Sequence, residues 1–213
     1  MSGIESPPRR LSGLYVILDP HVAHGRHLED ILRMAMAGGV RLFQYRDKLA
    51  TMQEAYECAR RLRDVAAQGD ALFLVNDRCD LAMAVEADGV HLGQDDLPVK
   101  LARGIVGRGK LIGVSTHRPD QVVAATEAGA DYLGFGPLFS TGTKADHDPV
   151  VGLEGLKNVR ALTTLPLFAI GGITVAHVDA IKEAGADGVA VISAVCSAPD
   201  IENAVQAFTK HWS

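Results

Sequence analysis

The sequence predicts an α/β fold, a closed (β/α)₈ barrel, on three observations. Short apolar runs alternate with amphipathic stretches between Leu14 and Phe208, giving eight strand-and-helix units in 213 residues. Alternating units make parallel sheets, and eight is the number that closes this one. An internal echo recurs at every second unit: AMAGGVRLF, AVEADGVHL, EAGADYLGF and EAGADGVAV each lead from a helix end into an even-numbered strand. Such an echo suits a barrel built from repeated quarters and favours closure over the competing architecture, an open doubly wound sheet. Polar residues, finally, gather directly after the apolar runs, where the C-terminal ends of parallel strands would share one rim.

Each element has its own warrant. LYVIL at 14–18 is the first strand, and HLEDILRMAMA at 27–37 the first helix, with Leu28, Ile31, Leu32 and Ala35 on one face. VRLFQYRDK gives a short second strand running into Gln44, Arg46 and Lys48, and a helix entered at Thr51 closes near Gly69. LFLV at 72–75 and GVHL at 89–92 are too short for helices and read as strands buried on both faces. Asp80 to Val85 leaves room for little more than a short helix, so those two strands lie side by side. A helix begins at Pro98 and runs to Val106, proline being favoured in a first turn. KLIGVSTH is the fifth strand, Pro119 to Ala128 a helix, and DYLGFG the sixth strand. PLFSTGTKADHDPVVG, from Pro137 to Gly152, then breaks the rhythm as a long loop, expected to act as a lid. LPLFAIGG is the seventh strand, followed by a helix from Val175 to Glu183. GVAVISAV is the eighth, and Asp200 to Lys210 the last helix. The recurrent glycine of the echo suits helix ends that need a left-handed residue.

With 47% hydrophobic and 22% charged residues the chain can bury a sizeable core. The reading is one domain over 11–213 behind a mobile tail at 1–10 that lacks the apolar core of a secretion signal. No run approaches the roughly 18 apolar residues of a membrane span, so no membrane partner is expected. A net charge of -5 argues against a general nucleic-acid surface and leaves small molecules as partners. Cys58, Cys79 and Cys196 are odd in number and unpaired in spacing, which reads as reduced, buried thiols in a cytoplasmic protein. A homo-oligomer is compatible with the sequence, which names no interface.

The rim carries the chemistry. Asp77 and Asp96, on adjacent strand tips, could hold Mg²⁺, which takes one or two carboxylates and completes its shell with water and phosphate. The plainer reading is that Asp77 and Asp95 or Asp96 cap the helices that follow. Arg46, Lys48 and Lys144 bring three cations toward the same place, as a diphosphate needs. Gly171-Gly172 and the Ser193 turn offer backbone N–H groups after the seventh and eighth strands, the usual place for a phosphate monoester on this fold. Against these stand solvated surface cations and a mere Gly-Gly turn. His117 reads as structural, since no carboxylate is placed to orient it, and His91 as packed beside the barrel. Neither a Ser/His/Asp arrangement nor GxGxxG is present.

Taken together, QYRDK at 44–48, NDRCDLA at 76–82, ADGVHLGQDD at 87–96, GVSTH at 113–117, ADYLGFGPLFSTGTK at 130–144, AIGGIT at 169–174 and ADGVAVISAV at 186–195 make the chain resemble the thiamine-phosphate synthase family. The resemblance implies that Gln44, Arg46, Lys48, Asn76, Ser115 and Lys144 bind a pyrimidine diphosphate, and that Asp77 and Asp96 hold Mg²⁺. It assigns Thr141, Thr143, Gly172, Ile192 and Ser193 to a thiazole phosphate, and makes Arg46, Lys48, Ser115 and Lys144 the catalytic set. Tyr45 replaces a usual aliphatic residue, Asp47 stands where Glu is common, and ADHDPVVG after Lys144 is less basic than is usual there. The implied reaction displaces diphosphate from the pyrimidine's methylene carbon and joins that carbon to the thiazole nitrogen by a dissociative path. The related thiazole tautomerase, which wants a histidine where this chain has Pro137, is a weaker alternative. A non-catalytic phosphate sensor on the same barrel is another.

Overall fold

The computed structural model describes residues 11–140 and 149–212, so the expected tail at 1–10 and residues 141–148 of the expected lid lie outside it. Eight parallel strands form a closed barrel in sequence order, with the first paired to the eighth. They are β1 (Gly13–Leu18), β2 (Leu42–Tyr45), β3 (Leu72–Asn76), β4 (Gly89–Leu92), β5 (Leu111–Thr116), β6 (Tyr132–Phe135), β7 (Leu167–Ile170) and β8 (Gly188–Val191). Between and after them run α1 (Leu28–Ala37), α2 (Met52–Gln68), α3 (Cys79–Ala84), α4 (Val99–Val106), α5 (Pro119–Ala128), α6 (Gly152–Arg160), α7 (Val178–Glu183), α8 (Ser193–Cys196) and α9 (Ile201–Thr209). Among the described residues no helix is long and apolar enough to cross a membrane.

Alternation along each strand sorts the core into two layers. Val16, Phe43, Phe73, Val90, Ile112, Leu133 and Val189 point outward and pack beneath the helices. Tyr15, Ile17, Leu42, Leu74, Tyr132, Phe168 and Ala190 fill the barrel. Deleting one buried leucine side chain from such a layer typically costs about 2–5 kcal/mol. Two of the interior rings need space that glycine supplies. A Cβ on Gly113 would overlap the Tyr132 ring, and one on Gly188 would overlap Phe168.

Helix entry follows local chemistry. Thr51 accepts from the Glu54 backbone N–H, and Glu54 reaches back to the Thr51 N–H at 2.9 Å, a reciprocal cap that fixes α2. Such caps are worth about 1 kcal/mol. Pro98 is the N-cap of α4 rather than its first residue, because its ψ of 139° is extended.

Four expectations change. Helix α6 was not foreseen: only Leu156 and Val159 of GLEGLKNVR are buried, too few to write a periodic face. The eighth strand stops at Val191, and the rest of the apolar run is the helical turn α8, whose Val195 and Cys196 are buried. His91 is inside the barrel: on β4 Val90 and Leu92 take the outward positions, so the residue between them faces in. Of the three free thiols, Cys79 and Cys196 are buried but Cys58 only partly so.

Candidate active site

The tip of each strand decides what stands on the rim. Beyond β1, Asp19 accepts from Arg46 Nη1 at 2.5 Å and from the His21 backbone N–H at 3.0 Å. The pair is largely dry, with side-chain exposures of 3% for Asp19 and 15% for Arg46. Desolvation offsets most of the attraction in such a pair, so its main effect here is to fix the guanidinium's direction. Beyond β2, Asp47 Oδ1 accepts from the Leu49 and Ala50 N–H groups at 3.0 and 3.1 Å and lies 3.0 Å from His21 Nε2. Burial alone would raise the Asp47 carboxyl, but these hydrogen bonds outweigh it and hold it below the usual carboxylate range. The turn they build presents Lys48, whose Nζ is 3.4 Å from Asp77 Oδ2.

Asp77 follows Asn76, the last residue of β3, with a φ of 61°, uncommon for a residue with a side chain. Its N–H donates to the His91 carbonyl at 2.8 Å, which ties the tip of β3 to β4. Asp96 accepts from the Gly93 N–H at 2.6 Å and closes the turn after β4. Burial first, and the facing Asp96 carboxylate second, push Asp77 above the usual carboxylate range, with Lys48 pulling the other way. Neither carboxylate caps a helix: the N-caps of α3 and α4 are Arg78 and Pro98, and neither start has a side-chain cap bond. Two like charges drawn together in a half-buried place, with a cation beside them, are a donor set that fits a hard divalent ion. Among the described residues there is no cluster of three or more His, Cys, Asp or Glu, so an ion here would draw further ligands from water and substrate.

The barrel mouth between these groups is lined from within. Gln44 is almost wholly buried and its Nε2 donates to Tyr15 Oη at 2.5 Å. Tyr15 Oη lies 3.0 Å from Tyr132 Oη, Tyr132 Oη 2.8 Å from His91 Nδ1, and His91 Nε2 2.9 Å from Ser115 Oγ. Gln94 Nε2 donates to the Ser115 carbonyl at 2.7 Å. His117 Nδ1 meets the Gly136 carbonyl at 2.5 Å, and its N–H donates to Gln121, in keeping with a structural role.

Across the mouth, Gly171 and Gly172 follow β7, while Ile192 is buried at the end of β8 and exposed Ser193 opens α8. Gly172 has a φ of 63°, and a Cβ there would overlap the Ser140 carbonyl oxygen and lie 2.9 Å from Phe139 Cβ. The glycine is therefore required by the close approach of the segment after β6. Phe139 in turn stacks on the His177 ring, centroids 3.9 Å apart. Thr141, Thr143 and Lys144 lie outside the described residues. The remaining expected residues stand at or near the C-terminal ends of their strands. Sequence reasoning missed Asp19 and the Tyr15–Tyr132 pair. Asp19 had the same signal as Asp77, a carboxylate directly after an apolar run, whereas the tyrosines looked like ordinary strand residues.

The chain is similar in sequence and in fold to known proteins. A sequence model of the family described as thiamine monophosphate synthase matches residues 14–195. The thiamine-phosphate synthase of Methanospirillum hungatei is 46% identical over 196 residues, covering 92% of this chain and 95% of that protein. The enzyme of the same name from Chloroflexus aurantiacus is 45% identical over 193 residues, covering 91% and 89%. The solved thiamine phosphate pyrophosphorylase of Pyrococcus furiosus superposes with a TM-score of 0.85 at 38% identity, covering 94% of this chain and 95% of that one. A 3-hexulose-6-phosphate synthase structure, at 17% identity and a TM-score of 0.67, covering 94% and 100%, shares the barrel alone.

Proposed function

The chain belongs to the thiamine monophosphate synthase family, and from that membership we infer that it joins an aminopyrimidine methyl diphosphate to a thiazole phosphate, releasing diphosphate and forming thiamine phosphate. The observation that carries the reading is the convergence at one rim of Arg46, held by Asp19, with Lys48 and the facing pair Asp77 and Asp96. A diphosphate leaving group calls for these parts: charged donors on one edge and a divalent ion on another.

Asp77 and Asp96 would hold Mg²⁺, which when bound supplies neutralising charge to the departing diphosphate. Arg46 and Lys48 donate to the same leaving oxygens, and Lys144 joins them in this reading on sequence grounds. An aminopyrimidine delocalises positive charge from its methylene, so the carbon–oxygen bond can break before the thiazole nitrogen attacks with its free lone pair. The protein then needs no general base, and stabilising the leaving group and positioning the two rings suffice. Gln44, Asn76 and Ser115 would hold the pyrimidine, and Ile192, Ser193 and the 171–172 turn, with Thr141 and Thr143, the thiazole phosphate. Free thiols support a cytoplasmic location. The test is synthesis of thiamine phosphate from the two substrates, with and without Mg²⁺. Condensation that proceeds undiminished in chelator would remove the metal from this reading, and none in any condition would remove the reading itself.

A further inference from the structure

Gln44, Tyr15, Tyr132, His91 and Ser115 form one hydrogen-bonded chain across the barrel, through five different strands. Its two ends are residues expected at the pyrimidine, whereas its three middle members have no part in the proposed reaction. Tyr15 and Tyr132 have relative exposures of 1% and 0%, and His91 of 7%, so water cannot replace these partners. Burial pushes both phenols well above their ordinary pKa, so each keeps its single hydrogen.

With the Gln44 amide oriented so that Nε2 faces Tyr15, counting hydrogens gives the chain a direction. Two facing hydroxyls cannot both donate, and a buried hydroxyl without an acceptor is costly. Gln44 Nε2 is a donor, so Tyr15 accepts there and gives its own hydrogen to Tyr132. Tyr132 gives its hydrogen to His91 Nδ1, which must then be the bare nitrogen. His91 therefore carries its proton on Nε2 and donates to Ser115 Oγ. Ser115 is left with its hydrogen to offer, and Gln44 with its carbonyl oxygen. Exchanging the nitrogen and oxygen of the Gln44 amide would reverse every link, so the two ends cannot be set independently.

We propose that the Tyr15–Tyr132–His91 relay couples the hydrogen-bonding sense of Gln44 to that of Ser115, with His91 the positioning residue that makes Ser115 a donor to the substrate ring. The site is then matched to a ring with a donor on one side and an acceptor on the other. An aminopyrimidine has these in its exocyclic amine and ring nitrogen, and the oxo analogue inverts the amine to an acceptor. The assignment of the ring rests on the proposed function; the sense of the relay does not.

Two measurements test this. In wild-type protein labelled with ¹⁵N-histidine, the His91 signals, assigned by their loss in His91→Gln, should show a neutral ring protonated on Nε2. A proton on Nδ1, or on both nitrogens, would overturn the relay whether or not the protein makes thiamine phosphate. Tyr132→Phe keeps the ring and removes the hydroxyl, so it should lower kcat/KM for the amino substrate relative to its oxo analogue by about tenfold, the scale of one lost hydrogen bond. Its KM for thiazole phosphate should not change. A purely structural tyrosine would instead lower both pyrimidines equally, and that result would refute the coupling. Absence of any wild-type turnover, with the Nε2 tautomer intact, would count against the proposed reaction and leave the relay standing.

Discussion

Asp19 and Arg46 meet at 2.5 Å with the carboxylate almost wholly buried, so the guanidinium reaches the rim with its direction already set. Asp19→Ala removes that partner and leaves a partly buried cation unpaired. Such a loss typically costs about 3–5 kcal/mol of stability. We expect a marked fall in melting temperature and a rise of at least tenfold in KM for the pyrimidine diphosphate. Asp19→Asn should recover much of the stability and little of the affinity. Steady-state kinetics of both variants beside their thermal melts measures this, and an unchanged KM in Asp19→Ala would show that Arg46 needs no such support.

This relationship also shows where the sequence was legible. LFLV followed by Asn76-Asp77 and GVHL followed by Gly93 to Asp96 were plain because an abrupt change from apolar to polar marks a buried strand reaching solvent. LYVIL followed by Asp19 carries the same mark. What the mark does not show is the ion-pair partner, which lies in the next unit and is set by the register of β1 on β2, where Leu18 stands opposite Tyr45. The inward turn of His91 was present in the alternation of β4, whereas α6 was hidden by two glycines in a helix with two buried residues. GVAVISAV misled because strand β8 and the turn α8 are both apolar, and hydrophobicity without a period cannot separate them.

Burial first, and the facing Asp96 carboxylate second, disfavour the charged form of Asp77 when no cation is present. Asp77→Asn should therefore leave the metal-free fold as stable or slightly more so, while removing one of the two carboxylates proposed to hold Mg²⁺. Thermal melts with and without Mg²⁺ and diphosphate should show protection of the wild type and none of the variant, and turnover should fall by orders of magnitude. Ligand protection retained in Asp77→Asn would assign the metal elsewhere.

Asp47 gives a pH dependence of known sign. Its carboxyl is held below the usual range in the folded protein, where burial is outweighed by the Leu49 N–H, the His21 ring and the Ala50 N–H. The charged form is thus favoured by folding, so its stabilisation is fully present above the unfolded carboxylate pKa of about 3.9. It is lost as pH falls from there through the lower folded value. Chemical denaturation of wild type and Asp47→Asn across acid pH should give curves that diverge above this window and converge below it. Parallel curves would mean that the turn presenting Lys48 does not depend on this charge.

The two anion positions should be separable, although the structure changes which residue tests them. Gly172 is the obvious choice for the thiazole phosphate, but a side chain there strikes the Ser140 carbonyl oxygen and Phe139. Leu138 and Phe139 are bonded through their N–H groups to the Ile170 and Gly171 carbonyls at 2.9 and 3.1 Å, so they have little room to yield. Gly172→Ala should then disturb the segment leading to Thr141 and Lys144 and raise KM for both substrates. Ser193→Ala avoids this, since the residue is exposed and the backbone of α8 stays unaltered. Losing one hydroxyl contact to a charged phosphate should raise KM for thiazole phosphate by roughly tenfold or more. The KM for pyrimidine diphosphate should hold, as Arg46→Ala should do in the opposite sense. Equal rises for both substrates in Ser193→Ala would mean that one shared anion site serves both.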